Sequence, residues 1–315
     1  MDNEKFAGFS RIDLVYSSIR GRDLQASILT PKKLRLSPPS SRPVLVHWHG
    51  GGFIVGHLAN RALEFALSRG ALIISPDYRL VPEANGTDIL ADIERFSVWM
   101  KNELPSVAHQ ESWHAFPDLS RVASSGQSAG ACNALHSAFL SSPKIDIKVV
   151  ICISGPLDTS ASLKFNIPLP RTIMGTRPPP PRQAEALIRD YIRNIEPGAV
   201  RTEGDPADMW PLLICIIQQA WLPRLLGVKS NPQLLLVPRL KHMESMPPLW
   251  LIHGEEDSII PAECSTLFAE AVKARFPEHP MLVSIEHGDH VFSSDMKMNE
   301  TWIEEGCRFV SDFWA

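Results

Sequence analysis

The stretch RVASSGQSAG, residues 121–130, reads as a short strand that runs straight into a glycine-flanked serine. Gly126, Ser128 and Gly130 form a Gly-x-Ser-x-Gly pattern, and Ala129, Gly130, Ala131 and Ala134 follow it as the start of a helix. A sharp strand-to-helix turn lifts a serine hydroxyl above the sheet, and only small flanking residues tolerate such a turn. The small residues after the serine let the helix lie close to the strands. The pattern by itself arises often by chance. Its strand–turn–helix setting makes Ser128 the candidate nucleophile.

The rest of the chain supplies the sheet that this turn needs. RIDLVYSSI (11–19) and LQASILTP (24–31) read as an antiparallel opening pair. PVLVHWHG, ALIISPDYR, KVVICISG, PLWLIHG and MLVSIEHG then recur as near-continuous apolar runs, the mark of strands buried on both faces of a mostly parallel sheet. Helical periodicity falls between them, over 60–69, 87–104, 129–141, 262–275 and 299–314. This alternation predicts an α/β fold with a mostly parallel central sheet and helices on both faces. Ligands of such sheets bind at the carboxyl ends of the strands.

Residues 156–246 break the rhythm, being too long for a simple crossover. A proline run, Pro178 to Pro181, reads as a stiff linker. Ala184, Leu187, Ile188, Tyr191, Ile192 and Ile195 then repeat at helical spacing, and a second apolar helix is expected over 209–226. The expected organisation is a core formed by 1–155 and 247–315, with 156–246 inserted as a helical cap over the strand ends. A purely structural insertion is the alternative.

A serine hydroxyl is a weak nucleophile and needs an adjacent base. Among the eleven histidines, His290 in EHGDHVF lies just beyond the last expected strand. His287 is nearer the strand's end, and His253 is read as shaping its own turn. The base in turn needs an acid to fix its tautomer and stabilise the imidazolium. The segment LIHGEEDSIIP offers Glu255, Glu256 and Asp257, of which Asp257 is chosen. Asp289 is a sequence neighbour of His290, and adjacent side chains in an extended loop diverge. The chain order Ser128, Asp257, His290 is one that serine hydrolases use.

Attack on a carbonyl creates an oxyanion, which preorganised backbone N–H groups stabilise. VHWHGGGFIVG, residues 46–56, places three consecutive glycines after an apolar strand. Bare backbone there suits an oxyanion hole made by Gly51 and Gly52, with Ala129, the residue after the nucleophile, as the further donor.

At this point the chain resembles the α/β-hydrolases of the hormone-sensitive-lipase type. HGGGF (49–53), DYRLVPE (77–83), GQSAG (126–130), HGEEDSIIP (253–261) and GDHVF (288–292) fall in that family's order and cover the chain from about residue 43 onward. The resemblance implies the α/β-hydrolase fold and a carboxylic ester hydrolase with Ser128, Asp257 and His290 as triad and Gly51, Gly52 and Ala129 as oxyanion hole. It also implies that DYRLVPE is structural support without a catalytic role. Gln127 departs from the acidic or small residue usual before the serine, and with strands expected from about residue 10 the long helical N-terminal cap of many members is expected to be nearly absent.

Composition excludes other classes. A formal charge of −4 gives no case for nucleic acid or an anionic membrane surface. The apolar run LLICII is too short to span a bilayer. MDNEKFAGFS is acidic and lacks the apolar core of a secretory leader. Five cysteines without CxxC spacing argue for free thiols in a reducing, cytoplasmic setting and against a zinc site. No cofactor or metal is expected. The expected partner is a small or medium hydrophobic ester, hydrolysed through an acyl-enzyme; Trp48, Phe53, Trp210 and Trp221 suit such a substrate or belong to the core. A thioesterase, lactonase, acyltransferase or cyclase would use the same residues. A non-catalytic small-molecule receptor would be expected to have lost one of them.

Overall fold

The computed structural model describes residues 6–36, 38–56, 63–111, 113–140, 145–159, 167–168, 171–294 and 297–314. Residues 60–62 and 141 of two expected helices, and 160–166 and 169–170 of the insertion, lie outside these. Among the described residues eight strands form one sheet: β1 (Phe9–Ile19), β2 (Arg22–Pro31), β3 (Ser40–Trp48), β4 (Leu72–Pro76), β5 (Ala115–Gln127), β6 (Ile147–Ile153), β7 (Leu249–Gly254) and β8 (Met281–Glu286). Their spatial order is β1-β2-β4-β3-β5-β6-β7-β8. β1 pairs with β2 and β2 with β4 antiparallel, and the other pairs are parallel.

The burial pattern explains this arrangement. Every residue of β4 and β7 is buried, as expected for strands covered on both faces. β1, at the edge, leaves Ile12 and Val15 exposed. β5 starts at Ala115, ahead of the expected Arg121, because 115–118 also pair with Ser40–Pro43 of β3 before the register shifts.

Helices cover both faces: α1 (Leu63–Arg69), α2 (Gly86–Asn102), α3 (Leu104–Gln110), α4 (Ala129–Ala138), α5 (Pro181–Arg193), α6 (Pro206–Gln218), α7 (Leu222–Leu226), α8 (Leu236–Leu240), α9 (Glu263–Arg275) and α10 (Thr301–Trp314). Phe65 and Ala66 of α1 and Val310 and Trp314 of α10 join Leu45, Ile73 and Trp250 in one cluster. A larger cluster on Val44, Val46 and Trp48 gathers residues of α2, α4 and α9. Ala184 and Ile188 of α5, Leu212 and Ile216 of α6 and Leu236 of α8 belong to that same cluster, so these helices of the inserted segment are packed onto the sheet's own core.

Two expected helices are divided. The helix over 87–104 ends at Asn102, and α3 begins with a proline in its first turn, whose missing N–H could not have extended the ladder. The helix over 209–226 is broken between α6 and α7. Ala220 takes a left-handed φ of 53°, Trp221 N–H closes onto Ile216 O, and Pro223 restarts the helix. Pro181 sits inside α5, so the proline run is partly the start of a helix.

Candidate active site

β5 hands the chain to α4 through Ser128, whose backbone is held at φ 55°, ψ −124°. A non-glycine residue there is strained, and its surroundings enforce it. Ser128 N–H donates to Ile153 O of the neighbouring strand at 2.8 Å. The flanking glycines are required by space: a Cβ on Gly126 would lie 2.1 Å from Gly130 O, and one on Gly130 2.2 Å from Trp48 O. The tightness of this turn is thus written into GQSAG.

The glycine loop leaves β3 where Trp48 pairs with Gly126, which brings it beside the turn. Gly51 and Gly52 have φ of 96° and 63°, and Gly51 O accepts from both Ile54 and Val55 N–H. The loop is braced by DYRLVPE. Tyr78 stacks on His49 at 4.3 Å between centroids and donates to His49 O at 2.8 Å, while Val81 N–H donates to Phe53 O. Arg79 is itself fixed by Asp88 and the fully buried Asp92. Among the described residues, none of the Gly51, Gly52 and Ala129 N–H groups donates to a backbone carbonyl.

The loops after β7 and β8 bring the remaining expected residues to the serine. His290 Nε2 lies 2.9 Å from Ser128 Oγ, and its Nδ1 lies 2.7 Å from Asp257 Oδ2. All three residues are buried. Asp257 Oδ1 accepts from Ile259 and Ile260 N–H, both at 2.8 Å. Burial pushes the Asp257 carboxyl up, but hydrogen bonds from His253, His290 and Ile260 N–H outweigh it and hold the group down at about 2. An ionised carboxylate only accepts, so His290 carries its proton on Nδ1 and turns the Nε2 lone pair toward Ser128.

The other acids lie elsewhere. Asp289 accepts from Ser258 N–H and Oγ–H and from His290's own backbone N–H, not from its ring. Glu255 and Glu256 are exposed and face His287 at 3.2 and 3.1 Å. These three are the one group among the described residues whose donor atoms could share a cation, and the imidazole already occupies both carboxylates.

A cleft of about 170 Å³ opens over Ser128. Gly50–Phe53, Gln127, Ala129 and His290 form its floor, and Met174, Trp210, Leu213 and Ile217 close it from the inserted segment. Of the four aromatic candidates, Phe53 and Trp210 line this cleft. Trp48 packs on Tyr78 and Phe96 in the core, and Trp221 is flanked by Arg189 and Arg224 at 5.2 and 4.6 Å from its ring.

A family model described as the alpha/beta hydrolase fold matches residues 45–222. The chain belongs to the α/β-hydrolase family. Full-length similarity extends to "Probable carboxylesterase M8" of Phoma sp. (strain ATCC 20986 / MF5453), 45% identical over 318 residues, covering 99% of this chain and 98% of that protein. "Probable carboxylesterase clz11" of Cochliobolus lunatus is 48% identical over 190 residues, covering 60% of this chain and 86% of that one. Among solved structures, esterase LipW from Mycobacterium marinum shares the fold, with a TM-score of 0.63 at 19% identity, over 99% of this chain and 85% of that chain.

In this α/β-hydrolase one contact at Asp257 was not expected from the sequence. His253 does more than shape a turn: it is fully buried, with Nε2 3.2 Å from Asp257 Oδ2 and 2.9 Å from Ile260 O. Two acceptors on one nitrogen require an N–H there, so Nδ1 accepts from Ser265 Oγ at 2.7 Å. The carboxylate is therefore gripped by two imidazoles and two backbone N–H groups. Its i, i+4 position before Asp257 was the available signal. The cleft walls from 174 to 217 had none, because an apolar helix residue reads alike whether it faces a core or a cavity.

Proposed function

We propose that this α/β-hydrolase is a serine carboxylic ester hydrolase with Ser128 as nucleophile, His290 as general base and acid, and Asp257 as the acid that orients it. The observation that carries this reading is the Ser128 Oγ–His290 Nε2–Asp257 relay at 2.9 and 2.7 Å. The carboxylesterase names of its relatives support the same reaction class.

The reaction follows from these atoms. Ser128 Oγ attacks the ester carbonyl carbon as its proton passes to His290 Nε2. The imidazolium is stabilised by Asp257, and the new oxyanion is met by N–H groups of Gly51, Gly52 and Ala129. Collapse breaks the carbonyl carbon–alkoxy bond, and His290 returns the proton to the departing alcohol. Water then attacks the acyl-enzyme with His290 again as base, releasing the acid and regenerating Ser128. Residues 156–246 act as a cap on a core of 1–155 and 247–315, walling the cleft with apolar side chains and excluding water from the acyl-enzyme. The cleft's apolar lining suits a hydrophobic ester, and five cysteines without a disulfide suit a reducing, cytoplasmic setting.

The test is stoichiometric labelling with a p-nitrophenyl alkylphosphonate, followed by peptide mass spectrometry. The adduct is expected on Ser128, and Ser128→Ala is expected to lose both label and hydrolysis of p-nitrophenyl acetate by about 10⁴-fold or more. Retention of a tenth of the activity by that variant would overturn the assignment.

A further inference from the structure

Behind the cleft lies a second cavity of about 440 Å³, larger than the about 170 Å³ above Ser128. The two share Phe53, Pro156 and Leu222 as common walls, so they adjoin. The start of α2, the buried turn of α4 that carries Cys132, Asn133 and His136, and α7 with the segment leading into α8 enclose it. Ligand sites for molecules of drug size run to about 300–1,000 Å³. The catalytic cleft alone falls below that range, and the second cavity falls within it.

The chemistry of its walls is specific. Most are aliphatic, as with Ile89, Leu90, Leu226 and Val237. His136 is neutral there: burial, then the neighbouring Arg239, push its imidazole down to about 3. Its Nδ1 accepts from Arg239 at 2.8 Å, and its other nitrogen is used by the backbone at Leu234. Burial pushes the Cys132 thiol up to about 12, and it donates to Pro156 O. Half-buried Asp158 and Thr159 also line the space and have partners of their own.

Asn133 differs from all of these. It is 1% exposed, and among the described residues both its amide nitrogen and its amide oxygen lack a hydrogen-bond partner. Native proteins rarely leave such a group unpaired without a use for it. An alanine or leucine would serve α4 equally well as helix former. The amide therefore has its use in what enters the chamber. It can donate and accept at once, and a single hydroxyl satisfies both demands.

Resting on the ester-hydrolase reading above, we infer that this chamber binds the larger arm of the substrate, an uncharged and mainly apolar group bearing a hydroxyl that pairs with Asn133. The ester carbonyl sits at Ser128 in the small cleft, and the arm passes between Phe53 and Leu222.

The experiment compares kcat/KM by pH-stat for acetyl, decanoyl and mono-hydroxydecanoyl esters, and for the acetates of decanol and of decanediols, so that either side of the ester is sampled. Long arms are expected to exceed short ones on one side, and at least one hydroxylated arm to exceed its plain counterpart by about tenfold. Asn133→Leu is expected to bring that hydroxyl ratio to about one. Leu226→Trp, filling the chamber from another element, is expected to lower the long-to-short ratio about tenfold or more. Exposed Leu187→Trp should alter neither ratio. Asn133→Ala replaces Asn133→Leu if the latter does not fold. Phosphonate titration of Ser128 counts the competent sites in each sample. Full labelling with ratios within twofold of wild type in the chamber variants would overturn this inference alone. Absence of labelling in the wild type would overturn the hydrolase reading and this one with it.

Discussion

Replacing Asp257 by asparagine tests the relay at its most constrained member. The carboxylate meets four donors: Ile259 and Ile260 N–H on Oδ1, and His290 Nδ1 and His253 Nε2 on Oδ2. An amide has one accepting edge, so one pair of donors must face its NH₂. The backbone N–H groups cannot move their protons, whereas an imidazole can change tautomer. The amide oxygen will therefore stay on Ile259 and Ile260, and NH₂ will face His290, which moves its proton to Nε2. That nitrogen then has no lone pair for the Ser128 proton. A wrong tautomer of this kind costs about 10⁴-fold in kcat in serine proteases, or about 5.5 kcal/mol at roughly 1.36 kcal/mol per decade. Phosphonate inactivation rates and ester kinetics on Asp257→Asn should both fall by about that factor, while Glu256→Gln, on the exposed side of the loop, should change them less than about threefold. A residual rate above a tenth of wild type in Asp257→Asn, or a collapse in Glu256→Gln, would refute the assignment of the acid. The same substitution carries a stability signature. Lowering this carboxyl from its usual 3.8 to about 2 corresponds to roughly 2–3 kcal/mol of stabilisation by the ionised form. Because the folded value lies below the unfolded one, that stabilisation is present above about pH 4 and is lost as pH falls from about 4 toward 2. Urea titrations of the wild type and the variant should differ at pH 7 and converge across that window.

Three further outcomes are expected. Gly52→Ala would put a Cβ 2.6 Å from Leu213 Cδ1 at a φ of 63°, so the Leu213 side chain or the loop must shift; kcat should fall about 10²-fold, and Leu213→Ala in the same chain should restore part of it, as read by ester kinetics. Arg201→Ala leaves Glu83, whose side chain is 7% exposed, with Tyr191 as its one remaining side-chain partner among the described residues, and should lower unfolding stability by about 3 kcal/mol in urea titration. Burial raises the Asp77 carboxyl to about 7, above its unfolded value of 3.8, so its ionisation destabilises the fold as pH rises from about 4 to 7; Asp77→Asn should raise Tm at pH 8 and not at pH 4, by calorimetry.

Much of this molecule is legible in the order of its residues, for reasons that are local. Gly126, Ser128 and Gly130 fit only one kind of turn, because a Cβ at either glycine meets backbone at about 2 Å. The continuous apolar runs of β4 and β7 announce strands covered on both faces. Asp257 and His290 each follow a strand, and strand ends in a parallel sheet lie along one edge. What residue order could not decide depends on contacts between distant elements. Helical spacing in 209–226 does not reveal that Ala220 turns left-handed, nor that Leu213 and Ile217 face the cleft while Trp221 lies under two arginines. The spacing of His253 and Asp257 hints at a contact, but that His253 is a second proton donor on the carboxylate follows from how the loop after β7 returns to the end of that strand. The unpaired amide of Asn133 and the chamber beside it exist only because α2, α4 and α7 enclose them, and one-dimensional periodicity carries no information on which apolar face meets a neighbour and which meets a void.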